Sequence, residues 1–157
     1  MRSRRLVPVA LAAAGLAAIV IGVYQGLIHV APGYEGTIMS GWDGDLNHEE
    51  RLLVRLGLVA VGGTVTALRW RRLAVVPVVA GGVVAFYALR AIVHYALDPG
   101  LYAEVETYGG HSTRFVLGAE PFLLVAGAVL LAAAGVRAWT ARPSGFADTD
   151  SAPSSAT

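Results

Sequence analysis

The sequence contains no cysteine and no lysine. Without cysteine, disulfides, thiolate metal sites and cysteine nucleophiles are excluded. Without lysine, all twelve basic residues are arginine. With the abundance of Ala, Gly and Val, this looks like the bias of a GC-rich, prokaryotic genome and is given no functional weight. A surplus of charge is also lacking. The net charge is +1 and no basic face stands out, which argues against nucleic acid as a partner.

What is there is apolar. Hydrophobic residues make up 55% of the chain and come in blocks, not at the spacing of a half-buried helix or strand. The organising block is LAVVPVVAGGVVAFYALRAIVHY, residues 73–95. As a helix these 23 residues span roughly 34 Å, enough to cross a bilayer core of about 30 Å. Three other stretches match it, and four helices are predicted over 6–28, 48–68, 73–95 and 115–136. The fold class expected is an all-α membrane protein. It has four transmembrane helices in an up-down bundle, with two polar extracytoplasmic loops. Residues 1–142 form this domain, and 143–157, small, polar and Pro/Ser-rich, form a disordered cytoplasmic tail.

The first run follows MRSRR. It is longer than the apolar region of a signal peptide, about 7–15 residues, and no small-x-small cleavage site follows it, so an uncleaved membrane helix is expected. Ala10, Ala14, Ala18, Gly22 and Gly26 recur every fourth residue and predict a strip of small side chains where another helix packs. Pro32-Gly33 is expected to stop this helix. Beyond it, a short hairpin with its turn at Gly41 to Gly44 is one reading of the first polar loop. Asn47 reads as the N-cap of the second helix, and Glu50, three residues on, completes a capping box, with Glu49 beside it at the positive end of the helix dipole. RWRR, residues 69–72, forms a tight basic turn, and Asp98-Pro99-Gly100 ends the third helix. Within the fourth run Pro121 has no backbone N–H, so a kink or a late helix start is predicted at Glu120-Pro121.

Arg2, Arg4, Arg5, Arg69, Arg71, Arg72, Arg137 and Arg142 fall at the N-terminus, the middle turn and the start of the tail. Those places share one side of a four-span chain. The positive-inside rule puts that side, with both termini, in the cytoplasm of a multi-pass cell-membrane protein.

Candidate functional residues cluster near the opposite side. Arg55, Arg90 and Glu120 are predicted at similar depth in the second, third and fourth helices. Intramembrane charges usually face the bundle interior and pair, so Glu120 is expected to bind Arg90 or Arg55. One reading is a structural ion pair. The other is a shallow pocket in which two Arg and one Glu leave a positive charge for an anionic ligand. His29, His94 and His111, with His48, fall toward the same side, and imidazole is the commonest metal ligand. No pair of them has the ligand spacing of a known metal motif. Asp43-Gly44-Asp45-Leu46-Asn47 resembles the opening of a calcium loop, but its sixth and twelfth positions, His48 and Val54, are not the required Gly and Glu. No nucleophile with a partnered base and no phosphate-binding Gly loop stands out, and no cofactor is expected.

The function expected from these residues is that of a non-enzymatic structural or accessory subunit. It would be embedded in the lipid bilayer as a homo-oligomer or beside a membrane partner protein. The alternatives are a small transporter or ligand-binding protein using Arg55, Arg90 and Glu120, and a metal or redox protein using His29, His94 and His111.

Overall fold

The structure, a computed structural model, describes residues 2–34, 46–98, 105–106 and 112–141. It contains helix α1 (Arg2–Gln25), strand β1 (Ile28–Val30), α2 (His48–Ala67) and a 3-10 turn (Arg71–Ala74). Then come α3 (Val75–Leu97), strands β2 (Val105–Glu106), β3 (Ser112–Thr113) and β4 (Phe115–Leu117), and α4 (Glu120–Thr140). Three segments, Leu6–Gln25, Arg71–Leu97 and Glu120–Thr140, are long and apolar enough to cross a membrane. The 20 residues of α2 are long enough too, but they open on Glu49, Glu50, Arg51 and Arg55. The expected tail, 143–157, and the expected turn at Gly41 to Gly44 lie outside the described residues.

The start of α2 follows the sequence expectation. The side chain of Asn47 accepts from the Glu50 N–H at 2.8 Å, and the Glu50 carboxylate accepts from the Asn47 N–H at 2.7 Å. Each helix is shifted at one or both ends from the expected 6–28, 48–68, 73–95 and 115–136, and two of the shifts have a local cause. α1 ends at Gln25, not at residue 28, because Gly26 takes φ of 82°, a conformation that breaks the helix and suits glycine. Pro32-Gly33 therefore lies beyond the helix stop. α4 begins at Glu120, not at residue 115, with Pro121 in its first turn, where a missing N–H costs nothing.

The residues released from the two helix ends pair with each other. β1 and β4 are antiparallel, with Ile28 opposite Leu117, His29 opposite Val116 and Val30 opposite Phe115. Two further bonds extend the ladder, from Ala31 N–H to Arg114 O and from Gly118 N–H to Leu27 O, both 2.7 Å. β2 pairs with β3 in the same antiparallel sense. The loops at this end, the strand end of the bundle, are thus partly β-structured.

α1 packs most extensively on α4, α4 on α3, and α2 lies against α1 and α3. Neighbours run antiparallel. Gly15 meets Gly127 and Leu131 while Gly22 meets Glu120 and Leu123; Gly81 meets Ala128 and Leu131 while Gly135 meets Ala74 and Pro77. At the strand end, Tyr87 OH donates to a Glu49 carboxylate oxygen at 2.5 Å, tying α2 to α3. At the opposite, arginine end, Arg71 Nε donates to Trp139 O at 2.7 Å, and its guanidinium lies 5.0 Å from the Trp139 ring centroid. That contact satisfies a carbonyl at the end of α4 and places a cation at the negative end of the helix dipole. The start of α1 and the end of α4 lie together at this end.

Small side chains fill many of the buried positions, beside the larger Ile19, Val23, Leu53, Val84, Leu124 and Leu131. Ala12, Gly57, Ala60, Thr64, Ala80, Gly81, Ala88, Gly127, Ala128 and Ala134 are buried. Leu58, Val59, Val79, Phe86, Leu89, Phe122 and Val129 are exposed. In water this would leave a large apolar surface uncovered; in lipid, small residues let helices approach while bulky ones meet acyl chains. The buried hydroxyl of Thr64 is satisfied within its own helix, donating to Ala60 O at 2.8 Å.

The strip expected on α1 does not form the packing face. Ala10 and Ala14 are exposed and Ala18 is half-buried, whereas Pro8, Ala12, Gly15, Ile19, Gly22 and Val23 are buried. The reason is geometric. Each four-residue step overshoots a helical turn by about 40°, so five such positions sweep roughly 160° and cannot share one face.

Candidate functional site

Three constraints position Glu120. The β1–β4 ladder brings the chain entering α4 against the end of α1. Gly118 allows the closest approach: a Cβ there would stand 2.5 Å from Gly26 O and 2.6 Å from the His29 ring. Gly22 provides the next, where a Cβ would lie 3.3 Å from Glu120 O. The side chain of Glu120, first residue of α4, is left 3% exposed, and its Oε2 has no hydrogen-bond partner. Beneath it lies an apolar core that includes Val23, Leu53, Ala88 and Leu124.

The groups that face Glu120 come from α2 and α3. The Glu50 carboxylate lies within electrostatic reach of it, and Tyr87 lies within reach of Glu49, Glu50 and Glu120. Glu50 is held by the capping box, and Glu49 by its bond to Tyr87. Glu49, Glu50, Glu120 and Tyr87 thus lie at the strand end of the bundle, where the Glu49–Tyr87 hydrogen bond joins two of them directly. A carboxylate taken out of water without a partner is costly, and a second one nearby adds repulsion.

The expected pairing of Glu120 with Arg90 or Arg55 is not made. Both arginines are exposed, and no salt bridge joins either to Glu120 among the described residues. The helix phase of the two arginines accounts for the missing pair. Arg55 lies two residues after buried Leu53, and Arg90 two after buried Ala88. Two residues turn a helix by about 200°, so both guanidinium groups leave on the far side.

Among the described residues the histidines form no metal-ligating group. His29 sits on β1 beside Gly118, His48 opens α2 and His94 lies in the last turn of α3; all three are exposed. His111 lies outside the described residues. Among the described residues no three His, Asp or Glu side chains are placed to hold a metal ion. Asp43 and Asp45 also lie outside the described residues, while Asn47 and Glu50 serve the cap.

The Glu49–Tyr87 bond and the proximity of Glu50 to Glu120 were missed in the sequence. The residues were visible, but their meeting depends on the rotation of α2 and α3, for which uniformly apolar helices give no marker. Neither a protein family, nor a curated protein, nor a solved structure matches this chain.

Proposed function

We propose that the chain is a four-span integral protein of the cell membrane, with α2 as the fourth span and both termini in the cytoplasm. In this reading it serves as a non-enzymatic structural or accessory subunit, self-associated or beside a membrane partner. The carrying observation is the apolar outer surface: many Leu, Val and Phe side chains are exposed along the helices, while Ala and Gly fill many of the buried contacts beside Ile19, Leu53, Val84, Leu124 and Leu131. It extends to α2, where Leu52, Leu58, Val59 and Val65 are exposed while Gly57, Ala60 and Thr64 are buried. The structural role is supported by the use of polar groups to join elements: Asn47 with Glu50, Tyr87 with Glu49, and Arg71 with Trp139.

The absence of cysteine gives a direct test, since each introduced thiol reports alone. Single cysteines at Pro32, His48, Trp70 and Leu97 would be challenged with a membrane-impermeant maleimide on intact cells. Labelling is expected at Pro32, His48 and Leu97, and at Trp70 only after permeabilisation. Equal labelling at His48 and Trp70 would remove α2 as a span. The subunit role predicts a particle larger than one 16.3 kDa chain in mild detergent. A monodisperse monomer with no stoichiometric companion, measured by light scattering, would refute it.

A ligand-binding or transport role is favoured by one observation, the unpartnered Oε2 of Glu120. The anionic ligand expected from Arg55 and Arg90 loses its support, because both side chains are exposed.

A further inference from the structure

We propose that the arginine end of the bundle is a docking surface for the headgroup of an anionic phospholipid, with the guanidinium of Arg71 at its centre. The inference rests on the membrane reading above, but not on α2 as a span. Its frame is a small buried cluster: Ala67 at the end of α2, Ala74 of the 3-10 turn and Ala138 in the last turn of α4. Close approach at Gly135, where a Cβ would stand 2.8 Å from Ala74 O, holds the turn against α4. Four exposed arginines flank this cluster along the chain. Arg69 follows Ala67, Arg71 and Arg72 precede Ala74, and Arg137 adjoins Ala138. α1 also begins at this end, with Arg2, Arg4 and Arg5 in its first turns.

Two observations point to an anionic partner. Charge is segregated: the acidic residues described, Glu49, Glu50, Asp98, Glu106 and Glu120, all belong to the strand end. The four arginines lie a helix length away, roughly 30 Å, so no described carboxylate neutralises them. Arg71, moreover, is already oriented. Its Nε donates to Trp139 O at 2.7 Å, and its guanidinium lies 5.0 Å from the Trp139 ring centroid. With Nε engaged, the two terminal amino groups keep the edge that forks onto two oxygens of a phosphate. A lipid fits this surface better than a soluble phosphate, because exposed apolar side chains border the arginines: Leu68, Trp70, Val75, Val136 and Trp139. Acyl chains cover such a surface, indole rings sit at headgroup level, and basic residues just cytoplasmic of a span attract anionic lipid.

Tryptophan fluorescence tests the proposal. Trp42→Phe leaves Trp70 and Trp139, both at this end, as the only indoles of the chain. The full chain in that background would be placed in nanodiscs of one composition, phosphatidylcholine with a minor share of phosphatidylglycerol. Bromine, which quenches indole on contact, would be carried by one lipid or by the other. The ratio of quenching per mole of labelled lipid is the preference for the anionic headgroup. A preference of at least roughly fivefold is expected, the worth of one basic residue near the surface. Arg71→Gln should remove most of it. The double variant Arg72→Gln/Arg137→Gln spares the Arg71–Trp139 contact and should also lower it, which keeps the test decisive if Arg71→Gln unseats Trp139. Arg51→Gln, near the start of α2 at the strand end, should leave it unchanged. Equal quenching by the two labels would overturn the proposal and leave the arginines to an acidic protein partner. It is likewise overturned if the preference survives both arginine variants, if Arg51→Gln lowers it as much, or if soluble glycerol phosphate removes it at unchanged ionic strength. None of these outcomes alters the maleimide pattern, so lipid docking and topology fail separately.

Discussion

Adding one methyl group to Gly81 should destabilise the bundle, and adding it to Gly82 should not. A Cβ on Gly81 would stand 2.7 Å from Ala128 O, 3.3 Å from Ala132 N and 3.4 Å from Leu131 Cβ. The two nearest atoms belong to the α4 backbone and cannot swing aside. Ordinary contact begins near 3.4 Å, so α3 and α4 would have to part locally by roughly 0.7 Å. A gap of about 0.5–1 Å forfeits a quarter to a half of the dispersion energy of the atoms it separates, and overpacking typically costs about 1–3 kcal/mol. A Cβ on Gly82 would meet nothing within 4 Å. Both substitutions replace glycine by alanine at adjacent positions of α3, so the helix-propensity gain of about 1 kcal/mol cancels between them. The expected difference is therefore the packing cost alone, about 1–3 kcal/mol in favour of Gly82→Ala. Equilibrium unfolding in mixed micelles of rising dodecyl sulfate fraction, followed by circular dichroism, measures it. Coincident midpoints for the two variants, or a less stable Gly82→Ala, would refute the helix phase on which the packing description rests.

Asn47→Ala removes the side-chain half of the α2 capping box and should lower stability by about 1 kcal/mol in the same unfolding assay, with Asn47→Asp near wild type. Gly118→Ala drives a methyl group into Gly26 O and the His29 ring. It should open the β1–β4 ladder, seen as faster hydrogen–deuterium exchange at the Ala31 amide, which donates to Arg114 O. Unchanged protection there would count against the close approach.

Signals that act along the chain were legible; signals that act around a helix axis were not. The capping box at Asn47 and the late helix start at Glu120-Pro121 depend on spacing and on a missing N–H, and both appear in the structure. The β1–β4 pair was hidden because Ile28–Val30 and Phe115–Leu117 continue apolar runs, and a short apolar run has no periodicity to separate strand from helix. The phases of α1, α2 and α3 were hidden for a related reason. A helix in water shows its buried face by the contrast between polar and apolar positions. Here apolar residues lie on both the buried and the exposed faces, which left Ala10, Ala14, Arg55 and Arg90 assigned to the wrong faces. Glu120 was placed inside correctly, but its neighbours were misjudged because Arg55 and Arg90 lie about 200° around their helices from the buried Leu53 and Ala88.

The partnership of α1 with α4 bears on how the protein is made. The helix pair with the most extensive contact is also the pair farthest apart in sequence, with 95 positions from Gln25 to Glu120. At about 5–20 residues per second, roughly 5–20 s of synthesis separate the completion of α1 from the arrival of its partner. Throughout that interval Gly15, Gly22 and Ile19 have no α4 to meet, and the β1 strand has no β4 with which to pair. Docking of α4 is thus a late step of biogenesis, and it seats Glu120 and closes the β1–β4 ladder together. A chain arrested before residue 120 would present α1 with its close-packing face bare, a form that quality control in the membrane could distinguish from the finished bundle by that face alone.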